Sequence, residues 1–84
     1  MAGHELRLRL CDLPVGGVGI VDEILVGGAV RRRLLDLGLV PGTRVQAVRH
    51  SPIGDPVAFR IRGAIIALRR EESARILVRP ANGE

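Results

Sequence analysis

The stretch Ala29-Val30-Arg31-Arg32-Arg33-Leu34-Leu35-Asp36-Leu37-Gly38-Leu39-Val40-Pro41-Gly42-Thr43 holds a helix, its stop signal and the turn into a strand. Val30, Leu34 and Leu37 recur at i, i+4 and i+7, so they share one helical face, and Leu35 widens that stripe. Gly38 stands where a left-handed C-cap is expected, and Pro41 follows where a helix cannot continue. The spacing predicts one short helix over about 29–37. Pro41-Gly42 then marks a turn.

Outside this stretch the apolar period changes to two. Residues 43–50 alternate, with Val45 and Ala47 on one side and Arg44, Gln46 and Val48 on the other, as a half-buried strand does. Ser51-Pro52-Ile53-Gly54-Asp55-Pro56 is dense in turn residues and reads as a longer hairpin loop before a strand over 57–62. Gly63 leads into Ala64-Ile65-Ile66-Ala67-Leu68, apolar enough for a central strand. A single helical turn over 69–74 and a last strand over 75–79 follow, with a frayed tail from 80 or 81 to 84. Toward the N-terminus, Leu6, Leu8 and Leu10 alternate with Arg7 and Arg9 as a short first strand. The glycine-rich run 15–21 fits a bend leading into a strand that ends near Leu25. Five to six short strands with one short helix make an all-β chain, a small closed or partly open barrel.

The chain has 84 residues, below the ~100–150 of a common domain, so one domain over 1–84 with its core in about 6–79 is expected. Hydrophobic residues are 46% of the chain, enough for a core, and come almost wholly from Leu, Val, Ile and Ala. Phe59 is the sole aromatic, which argues against stacking on bases or sugars. All 13 basic residues are arginine, against 9 acidic ones, for a net charge of +4. That excess is modest, and arginine in place of every lysine reads as much as compositional bias as a ligand preference. A lone cysteine, Cys11, cannot form an internal disulfide and suits a reducing cytoplasm. The longest uncharged run, 13–21, has nine residues against the ~20 of a bilayer-spanning helix. Neither a basic leader nor an apolar signal core opens the sequence.

Catalytic constellations are missing from the pattern. The glycines at 16, 17 and 19 follow neither phosphate-binding spacing and lead into an acidic strand, so a bend in a barrel strand is the simpler reading. Ser51 and Ser73 have no histidine partner beyond adjacent His50, and the chain is expected not to be an enzyme. His4, Cys11 and His50 are the metal-ligand candidates, at spacings unlike those of zinc sites, and Cys11 also reads as a small packed hydrophobe. Arg31, Arg32 and Arg33 stand out because they lie early in the helix, where the macrodipole prefers anions. They form either a docking surface for an acidic partner or a solvated face, with Asp36 placed to pair with Arg32 and Arg33. Nucleic-acid binding would recruit Arg60, Arg62, Arg69 and Arg70, but the missing aromatics and the interleaved acidic residues speak against it.

Three segments together resemble the FeoA family: the run from Arg32 through Leu34-Leu35-Asp36-Leu37-Gly38 to Pro41-Gly42-Thr43, the loop Ser51-Pro52-Ile53-Gly54-Asp55-Pro56, and Ala67-Leu68-Arg69-Arg70-Glu71-Glu72. The resemblance covers about 6–78. It implies an SH3-like β-barrel with the helix packed against it, and a non-enzymatic, cytoplasmic accessory role in bacterial ferrous iron uptake. The implied partner is a FeoB-type membrane transporter with a cytosolic G-protein domain, bound through protein–protein contacts without nucleic acid or membrane insertion. Similar domains end iron-dependent repressors, but this chain has no helix-turn-helix segment. No catalytic residue or ligand set carries over from the family. Arg31, Arg32 and Arg33 with Ser51, Pro52 and Asp55 are the expected docking surface. No cofactor is expected to be required; weak transition-metal binding through His4, Cys11 or His50 is the alternative role, and a homo-oligomer is compatible with the barrel's strand edges.

Overall fold

A computed structural model describes residues 6–81. Its elements in chain order are β1 (Leu8–Arg9), a 3-10 turn (Leu10–Asp12), β2 (Val18–Ile24), α1 (Gly28–Asp36), β3 (Arg44–His50), β4 (Val57–Ile61), β5 (Ala64–Leu68), α2 (Arg70–Ser73) and β6 (Ile76–Ala81). The strands form one antiparallel sheet in the order β1-β6-β2-β3-β4-β5. Curled on itself, this is the all-β, SH3-like barrel, with α1 its one helix longer than a single turn.

Period-two residues supply the core. Val45 and Ala47 from β3, Val57, Phe59 and Ile61 from β4, Val21 and Ile24 from β2, and Ile76 and Val78 from β6 are all buried in one cluster. Shifts in register at Val21/Glu23 and Ala47/Arg49 bend the sheet, so that these inward faces converge. Gly19 marks another close approach: a Cβ there would lie 2.8 Å from Val78 Cγ2. This is the bend-glycine reading of the glycine-rich run; the run opens no helix, because its second half is already β2.

The stop signal of α1 forms as its sequence dictates. Gly38 adopts φ +104°; its N–H bonds the Leu35 carbonyl at 2.9 Å, and the Leu39 N–H bonds the Leu34 carbonyl at 3.1 Å. This is the paired-bond C-cap, completed by apolar contact between the two residues it brings together. Leu34 and Leu39 are both fully buried. They fasten the end of α1 to the barrel at roughly 1.5–3 kcal/mol of burial each.

Three local expectations change. The first strand shortens to two residues, because Leu10 and Cys11 turn inward in the 3-10 turn, while Leu6 stays 66% exposed. Ala64–Leu68 is an edge strand and not a central one. Its uniform apolarity comes from an inward row ending in buried Leu68 and an outward row of Ile65 and Ala67 that nothing covers. The last strand runs on through Pro80 and Ala81, paired to Gly19 and Val18. Tail residues 82–84 lie outside the described residues.

Candidate docking surface

Helix α1 presents its arginines outward. Arg31, Arg32 and Arg33 are exposed, and Val30, expected on the buried stripe, is 41% exposed because only Leu34 of the helix reaches the core fully. The three cations have different neighbours. Arg31 donates to the Ile24 carbonyl at 3.2 Å, closing the helix's first turn onto the end of β2. Arg33 is ion-paired with Glu72 of α2. Arg32 has no ion pair among the described residues. The anticipated pairs from Asp36 to Arg32 and Arg33 do not form: Glu72, distant in sequence, takes Arg33 instead.

Residues 51–56 connect β3 to β4. The Gly54 N–H bonds the Ser51 carbonyl at 2.8 Å, and the Ser51 N–H bonds the Pro56 carbonyl at 3.2 Å, so the loop carries its own turn. Pro52 is exposed, Ser51 and Asp55 half-buried. The Asp55 carboxylate accepts the backbone N–H of Arg70 at 2.9 Å, at the first residue of α2. This satisfies one of the orphan donors of a helix start from outside the helix, and a negative charge is favoured there.

These contacts make α2 the joint between the two halves of the expected surface. Arg33 reaches Glu72 from α1, and Asp55 reaches Arg70 from the loop. Glu72 also accepts the Arg69 backbone N–H at 3.2 Å, and buried Ser73 donates back to the Arg69 and Arg70 carbonyls. Sequence reasoning missed this joint, because a four-residue helix has too little periodicity to predict its partners. The Glu71-Glu72 pair at its start was the available signal. Arg33 and Asp55 thus have structural duties, leaving Arg32 and Pro52 as the residues of that surface directed to solvent.

The metal candidates do not assemble. His4 lies outside the described residues. Among the described residues no three His, Cys, Asp or Glu side chains converge to hold an ion. Cys11 is free and buried among core neighbours, as a small hydrophobe would be. Burial, then the charge of Asp12, pushes its thiol above its ordinary pKa and away from the thiolate a metal requires. Asp12 itself is held below the usual carboxylate range by its hydrogen bond from Arg9. His50 ends β3, half-buried and paired in register with Val57.

A second cationic surface lies on the outer face of β3 and β4. Arg44 and Gln46 project there, with Arg60 opposite Gln46 and Arg62 in the turn that follows β4. Together with Thr43 and Gly63 they line a shallow cleft. Arg62 adopts φ 52° in a two-residue turn with Gly63 at φ 84°, and its guanidinium donates to Thr43 Oγ1 at 3.4 Å.

The FeoA domain model matches residues 8–80, from β1 to Pro80 in β6. The chain belongs to the FeoA family. It is 35% identical over 71 residues to the Fe(2+) transport protein A/Fe(2+) transporter FeoB fusion protein of Porphyromonas gingivalis, an alignment covering 84% of this chain and 8% of that protein. The solution structure of FeoA from Chlorobium tepidum superposes with a TM-score of 0.84 at 36% identity, covering 92% of this chain and 73% of that one. Zinc-complexed FeoA from Stenotrophomonas maltophilia gives a TM-score of 0.75 at 31% identity, covering 84% and 88%; that protein is described as a prokaryotic SH3 domain and a candidate activating factor for ferrous iron transport. FeoA proteins are small accessory proteins of ferrous iron uptake. No helix described here is long and apolar enough to cross a membrane.

Proposed function

We propose that this chain is a non-enzymatic accessory protein that docks on the cytosolic part of a FeoB-type ferrous iron transporter and regulates it by contact. The observation that carries this reading is the fusion: in the Porphyromonas gingivalis relative, a segment like this chain is joined to a FeoB transporter in one polypeptide. Joining keeps two partners at high effective concentration, which is useful when they act on one another. The chain spans only 8% of that relative, so the transport activity is ascribed to the partner.

Helix α1 and the 51–56 loop are the surface assigned to this contact, with Arg32 its charged centre and Arg31 beside it. Calorimetric titration of the chain into the purified cytosolic domain of its organism's transporter, at about 0.15 M salt, tests the reading. At that ionic strength the Debye length is about 8 Å, so saturable heat reports a specific interface. Repeating it with each guanine nucleotide reads whether docking follows the partner's nucleotide state. Arg32→Glu should weaken the complex with an unchanged thermal midpoint, because Arg32 makes no ion pair among the described residues. Absence of binding to the domain and to the whole transporter would overturn the function; equal binding by Arg32→Glu would overturn only the surface.

A further inference from the structure

The free edge of β5 combines three features. First, its backbone is open. Arg62-Gly63 is a two-residue turn with both φ positive, so the flanking residues Ile61 and Ala64 form a hydrogen-bonded pair. Pairs then alternate along the ladder: Phe59 with Ile66 and Val57 with Leu68 are bonded, whereas Ile65 and Ala67 face Arg60 and Ala58 across non-bonded positions. The N–H and C=O groups of Ile65 and Ala67 therefore point away from β4, and no backbone group among the described residues meets them.

Second, the edge has none of the usual protection. Edge strands are commonly blunted by a charge, a proline, a bulge or very short length. Ala64–Leu68 carries no charge and no proline, pairs with β4 in unbroken register, and leaves Ile65 49% exposed. Third, arginines stand alongside the strand and beyond its end: Arg60 beside Ile65, and Arg69 and Arg70 after Leu68, while Arg62 in the turn reaches back to Thr43. No acidic residue occurs between Asp55 and Glu71. Arg62 also holds a left-handed conformation that costs a non-glycine residue roughly 1–2 kcal/mol, in a turn where Asn or Gly would be easier.

We propose that β5 is a strand-addition site for a partner polypeptide whose extended, apolar segment is flanked by acidic residues. The backbone of Ile65 and Ala67 supplies the hydrogen bonds, Ile65 packs on alternate side chains of the incoming strand, and Arg60 and Arg69 select its charge. A second copy of this chain is a poor occupant. Antiparallel self-pairing about Ile66 brings Arg62 of one copy against Arg70 of the other at both ends, and like charges set opposite one another destabilise a sheet. The proposal rests on the function above only in that the chain works by docking on another polypeptide.

The test uses two synthetic peptides with a Val-Thr-Val-Thr-Val core, one flanked by glutamate pairs and one by lysine pairs. Binding is read by amide hydrogen exchange of the intact chain. The glutamate peptide should slow exchange at Ile65 and Ala67 at least tenfold, with the lysine peptide binding at least tenfold more weakly. Ile65→Pro should abolish binding, since it removes an outward N–H and leaves the β4 ladder intact. The double variant Arg60→Glu with Arg69→Glu keeps every backbone group and should reverse the preference between the peptides.

No slowing at saturating peptide overturns the proposal, as does equal binding of both peptides. Slowing that grows with protein concentration alone assigns the edge to a second copy. Displacement of the peptide by a single-stranded oligonucleotide at lower concentration assigns the arginines to nucleic acid. If the transporter domain binds the double variant as well as the parent, the edge serves no transporter contact and the accessory role stands. Peptide binding without transporter binding reverses that outcome.

Discussion

On the side of the sheet built from β1, β2, β6 and α1, four arginines end on carboxylates, while Arg31 bonds a backbone carbonyl and Arg32 has no ion pair among the described residues. Arg7 reaches Asp22 and Glu23, Arg9 reaches Asp12, Arg79 reaches Asp22, and Arg33 reaches Glu72. On the side built from β3, β4 and β5 the balance is different. Residues 44–69, from β3 to the residue before α2, contain five arginines and one acid, Asp55, whose carboxylate is occupied by the start of α2. That stretch alone carries a charge equal to the chain's whole excess of +4. A composition that looks like uniform arginine bias is thus divided into arginines paired within the fold and a stretch, β3 to β5, where cations outnumber acids. The cation-rich stretch is visible in the linear sequence; which of the other arginines meet carboxylates is set only by the fold.

The sharpest way to break this contrast is to ask whether the cationic half is structurally essential at all. Phe59, on the inward face of β4, is fully buried and the largest side chain of the core. Truncation to alanine leaves a cavity costing about 3–5 kcal/mol. For a small domain this is a large share of total stability. Urea denaturation of Phe59→Ala should show a midpoint near zero denaturant or an unfolded chain. A loss below about 1 kcal/mol would mean that β4 is peripheral and that the half bearing the arginines is an appendage.

Next in size is the cap that fixes α1. Gly38→Ala puts a side chain at φ +104° with its Cβ 3.3 Å from Ile61 and from Arg62. The conformation alone costs about 1–2 kcal/mol, and the contacts add to it. A thermal midpoint lowered by several degrees is expected, whereas a shift within error would mean that the cap reorganises freely.

How this cap was legible, and the pairing of the arginines was not, follows from range. Gly38, Pro41 and the leucine spacing act within two turns of chain, so the helix over 29–37 differs from Gly28–Asp36 by one residue at each end. The hairpin loop at 51–56 was legible for the same reason. The edge position of β5 depends on which strands pair across the whole molecule, and Ala-Ile-Ile-Ala-Leu reads identically at the centre and at the edge. Arg33 was expected to bond Asp36, three residues away, and instead bonds Glu72, 39 positions along the chain. Candidate site residues were found as residue types; their partners were set by tertiary structure.

Cys11 tests the paired half from within. Burial raises its thiol pKa, with Asp12 adding to the shift, so the folded protein keeps the thiol protonated where the unfolded chain begins to ionise. The associated stability is fully present below the unfolded thiol's pKa, about 8.5, and is lost as pH rises through the folded value. Iodoacetamide labelling at pH 8 should be at least tenfold slower in buffer than in 6 M urea, and Cys11→Ala should remove the alkaline part of the stability loss. Equal labelling rates would show the 3-10 turn open to solvent.

The smallest effect bears most directly on the contrast. Arg33→Gln removes a partner from Glu72, which is the more sheltered of the two, and should cost about 0.5–1 kcal/mol. Arg60→Gln removes a cation that has no carboxylate partner among the described residues, from a face where Arg62 is its neighbour. Relief of like-charge repulsion should leave stability unchanged or raise it by up to about 0.5 kcal/mol at low ionic strength. At 1 M salt the Debye length falls to about 3 Å, and the gain should disappear. The two substitutions delete the same charge from the same residue type, so opposite signs of their effect can come only from where the fold has placed the acids. Equal destabilisation by both would show that Arg60 is clamped as Arg33 is, and that the chain's excess charge is spread evenly over its surface.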